Sequence, residues 1–152
     1  PRIEANGAID ELNAAIGLIR SSKLGKQDKT FLLSIQKNLI EISAVLACEK
    51  KEKQNKLRSI NQKDIAALEK AMDRMNTELP PLKSFILPGE HPTEAYCHLA
   101  RCICRRAERH VVSLNAEYKP DKLILAYLNR LSDYLFVLAR KISAKHNIPE
   151  IY

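Results

Sequence analysis

The 152-residue sequence predicts an all-α bundle of five helices, and three observations lead there. Apolar residues recur at helical spacing through most of the chain. Glycine is scarce, at positions 7, 17, 25 and 89 only, and the prolines stand between the periodic stretches. No strand-like alternation of useful length and no internal repeat breaks the pattern.

The first helix is expected from about Ile3 to Ser22, with Ile9, Leu12, Ile16 and Ile19 on one face and Ser21 to Gly25 closing it. The second runs from about Asp28 to Cys48 on a broad stripe of Phe31, Leu32, Ile35, Leu39, Ile42 and Leu46. Lys50 to Arg58 reads as a lysine-rich polar link. The third helix starts at Asn61, whose side chain caps free amides while Asp64 reaches back, and ends near Asn76. Pro80-Pro81 forbids helix and begins a loop, Leu79 to His91, carrying Phe85-Ile86-Leu87-Pro88-Gly89. The fourth helix enters through Pro92, whose missing N–H costs nothing in a first turn, and reaches about Asn115. The fifth begins after Pro120 with Asp121 as cap and stops before Asn147-Ile148-Pro149.

A net charge of +7 and a pI near 9.3 fit an anionic partner (nucleic acid, acidic lipid or nucleotide phosphate) or a plain basic surface. With 5% aromatic residues and no Trp, platforms for stacking bases are scarce. No run approaches the roughly 20 apolar residues that cross a bilayer. The start, Pro1-Arg2-Ile3-Glu4, has no apolar signal core. A soluble, cytoplasmic protein is therefore expected, or one of the mitochondrial matrix in a eukaryote. Cys48, Cys97, Cys102 and Cys104 read as small hydrophobes rather than a disulfide framework. Cys102 and Cys104 lie about 200° apart on a helix, so they share no metal locally, and no metal ligands are assigned. The glycine positions exclude GxxxxGK[ST] and GxGxxG, and neither HExxH nor a Ser-His-Asp pattern stands out. His91, His98, His110 and His146 are scattered and read as structural or exposed.

The informative segment is Arg101-Cys102-Ile103-Cys104-Arg105-Arg106-Ala107-Glu108-Arg109. At about 100° per residue, Tyr96, Ala100, Ile103, Ala107, Val111 and Leu114 form a core stripe. Arg101, Arg105 and Glu108 form a second face; Cys102, Arg106 and Arg109 form a third. Exposed helices ordinarily mix charges in i,i+4 pairs, whereas here four of five charged residues are arginine. Arginine offers a rigid fork that matches phosphate bidentately. A polyphosphate ligand, an ion-paired subunit interface and a basic surface stripe all fit this pattern. On the last helix Leu128, Leu131, Leu135, Leu138 and Ile142 make the core stripe, and Asn129, Asp133, Phe136 and Arg140 fall on another face. That polar line suits a nucleotide or flat cofactor, or a partner helix over Phe136.

Three stretches together resemble the PduO-type ATP:cob(I)alamin adenosyltransferases. They are Arg2-Ile3-Glu4-Ala5-Asn6-Gly7 into Ile9-Asp10-Glu11-Leu12-Asn13, then Phe85 to Gly89 ahead of the arginine helix, and Tyr127-Leu128-Asn129-Arg130-Leu131-Ser132-Asp133. The resemblance implies a five-helix bundle assembling as a homotrimer with sites between subunits, and ATP with Mg2+ and cob(I)alamin as substrates. It implies that Arg105, Arg106, Glu108, Arg109 and Asn129 hold ATP, with Arg101 and Arg105 catalytic. Arg101 would pair with Asp10 of a neighbouring subunit, and Phe85 and Phe136 would line the corrinoid pocket. A cobalamin reductase and an adenosylcobalamin-dependent enzyme are the implied protein partners. The family's Thr-Arg-Thr-Gly-Asp-type stretch, which wraps the triphosphate, precedes the point where this sequence begins. Residues 1–152 are thus expected to form one domain lacking that stretch. Gly89-Glu90 stands where Gly-Gly is common. Two other readings fit the residues: a basic module holding RNA or DNA, and a corrinoid carrier without chemistry.

Overall fold

A computed structural model describes residues 1–114 and 121–152. Its elements are α1 (Arg2–Ser21), α2 (Lys26–Ala47), α3 (Lys51–Gln54), α4 (Gln62–Asn76), α5 (Pro92–Ser113) and α6 (Lys122–Lys145). The five expected helices are present. The sixth, α3, is a single turn inside the segment read as a polar link. Gln54 explains it, because its amide donates to the carbonyls of Val45 (3.2 Å) and Cys48 (2.8 Å). Folding back in this way satisfies acceptors that the end of α2 leaves open. The expected end of the fourth helix at Asn115 and the break at Pro120 lie outside the described residues.

The caps follow the sequence chemistry. Asn61 and Asp64 form a reciprocal capping box on α4. Pro92 opens α5 behind His91, whose Nδ1 accepts from the Thr93 amide at 3.1 Å. Asp121 accepts from the Leu123 amide at 2.9 Å. Asn147 turns the chain out of α6 with φ 54°, a left-handed conformation that asparagine tolerates, and the Ile148 amide closes on the Ser143 carbonyl.

Within the bundle α5 packs against both α1 and α6, α1 packs against α2, and α4 packs against α6. Every expected stripe residue of the first helix is buried, as are Leu32, Ile35, Leu39, Ile42 and Leu46 of α2. Side chains join α2 to α6: Asn38 donates to the buried Tyr127 hydroxyl at 3.1 Å, and Phe31 meets Tyr134 edge-on at 5.2 Å. Burial pushes both phenols well above their ordinary pKa. Between α1 and α2, Gln36 donates to the Asn13 carbonyl (3.2 Å) and accepts from Arg20 (2.7 Å). A Cβ at position 17 would stand 3.1 Å from the Gln36 amide nitrogen, so glycine makes room for this seam. α2 comes nearer to a membrane span, in length and composition, than the sequence reading allowed. Its apolar stripe is committed to the core, however, and Lys37 and Glu41 stand on the opposite face of the helix.

A second anchoring point joins the loop after α4 to the C-terminal tail. Arg140 is 7% exposed and donates to the Pro80 carbonyl (2.7 Å) and to Glu150 (2.6 Å). The Leu87 amide bonds the Ile151 carbonyl at 2.7 Å.

Candidate functional site

Because α5 lies between α1 and α6, more than its predicted stripe is covered. Ala100, Ile103, Ala107, Val111 and Leu114 are buried as expected, Tyr96 only partly. Cys97, His98 and Cys104 are buried as well. Burial pushes the Cys97 and Cys104 thiols far up, which keeps them protonated and unreactive. Cys104 donates to the Leu128 carbonyl at 3.2 Å, and Cys102, read as a small hydrophobe, is exposed on the face that its helical position gives it.

The remaining arc of α5 faces a groove of about 380 Å³ shared with α6. Arg105, Glu108 and Arg109 line one wall, Asn129, Ser132 and Asp133 the other, with Val112 at one end. The sequence arithmetic had put Arg109 on a different face from Arg105. The i,i+4 offset of only about 40° brings them to one groove. Asn129 is held from several sides. Its amide donates to Glu108 (3.2 Å), its side-chain carbonyl accepts from Arg130 (2.9 Å), and its backbone carbonyl accepts from Ser132 (2.8 Å). Arg130 also pairs with Asp133 at 2.5 Å. Among the described residues, Arg105 and Arg109 pair with nothing and are exposed. Two unpaired guanidinium groups beside a fixed amide can take up an extended anion attached to a hydrogen-bonding head.

The other expected residues stand elsewhere. Arg106 turns to α1 and forms an ion pair with Glu11, away from the groove. Arg101, half-buried, donates through Nε to His98 Nδ1 at 3.4 Å. Asp10 is exposed on α1. Phe136 is partly buried against the His98 ring, edge-on at 5.9 Å. Phe85 is 93% exposed at the loop between α4 and α5.

Sequence reasoning read His98 as structural or exposed and passed over Glu94. They lie one helical turn apart on α5, at 4% and 2% exposure, joined at 3.1 Å. Their i,i+4 spacing was the available signal. Desolvation lowers the His98 pKa, and nearby Arg101 adds to this while Glu94 opposes it. A cavity of about 540 Å³ between α2, α4 and α6 is larger than the groove but contains none of the predicted residues. Its charged lining includes Asp28 and Lys141, already paired at 2.9 Å.

The family model described as cobalamin adenosyltransferase matches residues 1–142. The chain belongs to the cobalamin adenosyltransferase family. Among its relatives, the corrinoid adenosyltransferase of Bacillus subtilis is 41% identical over 99% of this chain and 78% of its own length. The corrinoid adenosyltransferase PduO of Salmonella typhimurium is 43% identical over 92% of this chain. This family member spans only 42% of that relative's length. In three dimensions the fold matches a PduO-type ATP:corrinoid adenosyltransferase from Lactobacillus reuteri complexed with cobalamin and ATP. The TM-score is 0.90 and the identity 32%, over 99% of this chain and 84% of that one.

Proposed function

We propose that the chain transfers the 5′-deoxyadenosyl group of ATP to the cobalt of cob(I)alamin and releases triphosphate. The observation that carries this reading is the pair of unpaired arginines, Arg105 and Arg109, beside the anchored Asn129. The kinship with proteins named corrinoid adenosyltransferases supports ATP and a corrinoid as the substrates.

In this reaction the cobalt(I) lone pair attacks C5′ of ATP, a Co–C bond forms, and the C5′–O bond breaks with its electrons leaving on triphosphate. The nucleophile belongs to a substrate, so the protein needs no activated serine or cysteine. Its own tasks are positioning and charge. Arg105 and Arg109 neutralise the phosphates where negative charge accumulates as the bond breaks. Asn129, fixed by Glu108 and Arg130, presents hydrogen-bonding groups to the nucleoside. Asp133 is already paired with Arg130, and Glu108 is bonded to Asn129, which suits magnesium arriving on the phosphates rather than on side chains. Phe136, and Phe85 on its loop, are assigned to the corrinoid, where apolar rings exclude water from cobalt. Arg106, tied to Glu11, would serve the nucleotide by fixing α1 against α5.

Three copies are proposed to assemble, with Asp10 of one meeting Arg101 of the next and completing each site. We further propose work in the cytoplasm or mitochondrial matrix, alongside a cobalamin reductase and an enzyme that uses the product. The deciding experiment is the visible spectrum of chemically reduced cobalamin with the protein, with and without ATP and Mg2+. Conversion to adenosylcobalamin with stoichiometric triphosphate supports the proposal. Tight corrinoid binding without triphosphate release would instead identify a carrier, and nanomolar, salt-sensitive oligonucleotide binding a nucleic-acid module.

A further inference from the structure

A continuous polar chain runs through the first half of α5. The Gly89 amide, at the end of the loop carrying Phe85, donates to Glu94 Oε2 at 3.0 Å. Glu94 Oε1 meets His98 Nε2 at 3.1 Å, and His98 Nδ1 faces Arg101 Nε at 3.4 Å. These partners determine the tautomer. An arginine Nε can only donate, so Nδ1 is bare and the ring proton sits on Nε2, pointing at the carboxylate. The imidazole thereby uses both nitrogens. Its edge contact with Phe136 also fixes where that ring lies relative to Arg101.

We propose that His98 is a positioning residue for the transfer reaction: anchored by the buried Glu94, it orients the Arg101 guanidinium and sets it in register with Phe136. The idea rests on the reading above for what Arg101 and Phe136 do, but the orientation itself is independent of that reading. With Nε held by His98, both Nη groups of Arg101 stay open, and among the described residues they meet no acceptor. A guanidinium held by one edge presents its fork at a defined angle, whereas a free side chain would sample several rotamers. The buried carboxylate explains why the imidazole itself stays put. Glu94 takes one bond from the loop and one from the ring, so moving His98 would strand a buried charge.

Two substitutions separate the bonds. His98→Asn places an amide oxygen near Nδ1 and keeps an acceptor for Arg101. His98→Gln places an amide nitrogen near Nε2 and keeps the donor for Glu94. The proposal expects kcat to fall about tenfold or more in His98→Gln, the scale of a sub-ångström to 1 Å misplacement, with KM for ATP little changed. His98→Asn should recover most of that loss even if its melting temperature is the lower of the two. In an Arg101→Lys background, which removes the Nε donor, the two variants should become equal. Activity that merely tracks melting temperature, in either background, overturns the proposal. A second readout works even if no adenosylation occurs: in 15N spectra of the full chain, the Arg101 Nε–H signal, assigned by its loss in Arg101→Lys, should stay sharp and slowly exchanging in the parent and His98→Asn. It should broaden into fast exchange in His98→Gln. Equal Nε–H protection in both variants refutes the orientation directly, while normal protection in a protein without turnover refutes only the enzymatic reading.

Discussion

The two halves of α5 spend their polar groups in opposite ways. In the first half Glu94 and His98 are buried and find their partners within the chain, and only the Nη groups of Arg101 stay open at the end of that network. From Arg105 to Arg109 the helix still buries Ala107 and pairs Arg106 with α1, but two arginines are left exposed and unpaired around an anchored asparagine. The buried Arg140 belongs with the first half in character: a cation whose bonds go to Glu150 and Pro80 and serve the fold. Closed networks specify structure, whereas open ones keep hydrogen-bonding capacity for a ligand. If that division is right, substitutions at Arg105 and at Arg140 should separate, the first costing activity and the second stability.

The largest expected effect is on activity. Arg105→Ala should lower turnover of ATP and reduced cobalamin by roughly a hundredfold or more, the scale of removing one donor aimed at developing charge. Its melting temperature should remain within a degree or two, since Arg105 supports nothing in the fold. Arg140→Met should do the reverse. Breaking a buried ion pair costs about 3 kcal/mol, or about 6–12 °C in melting temperature at this chain length. Turnover measured well below the transition should fall far less than in Arg105→Ala, any loss arising through the Phe85 loop that Arg140 holds at Pro80. An unfolded Arg105→Ala, or a folded but inactive Arg140→Met, would erase the distinction between the two networks.

Asn129→Ala offers a finer division. It frees Glu108 within the groove and removes a polar partner for the nucleoside. A hydrogen bond to a charged or bound group is worth about 1.5 kcal/mol, so KM for ATP should rise about tenfold with kcat changed less. A fall in kcat with KM unchanged would move Asn129 from substrate binding to stabilising the transition state.

The helices were legible because their signals are local. Asn61 with Asp64, Pro92 and Asp121 each mark a helix start through chemistry within three residues, and the apolar stripes fix which faces turn inward. The groove was half legible. Arginine concentration and the Asn129-to-Asp133 line named its walls, but periodicity alone could not say that Arg106 would meet Glu11 of another helix. Glu94 and His98 were harder still. An i,i+4 Glu/His pair is ordinary on an exposed helix, and only packing against Phe136 of α6 makes this one a buried network. Phe85 sits in a loop whose course is set by distant bonds, Arg140 to Pro80 and Leu87 to Ile151, that no local pattern announces.

The smallest effect tests the closed half of α5 through pH. An unfolded histidine titrates near 6.5. Burial lowers the pKa of folded His98, and its Nδ1 is already occupied by the Arg101 donor. Above about pH 6.5 both states carry a neutral ring, and the full stability is present. As pH falls below that value the unfolded chain takes up a proton that the native chain refuses, so stability is lost down to the folded pKa. The slope can reach about 1.4 kcal/mol per pH unit from this one residue. Urea midpoints should therefore fall between pH 7.5 and 5.5 in the parent, and fall less in His98→Gln, which has nothing to protonate there. Equal slopes in the two proteins would mean that His98 is free to accept a proton in place. The chain from Gly89 to Arg101 would then be open to solvent, and the contrast between the halves of α5 would lose its physical basis.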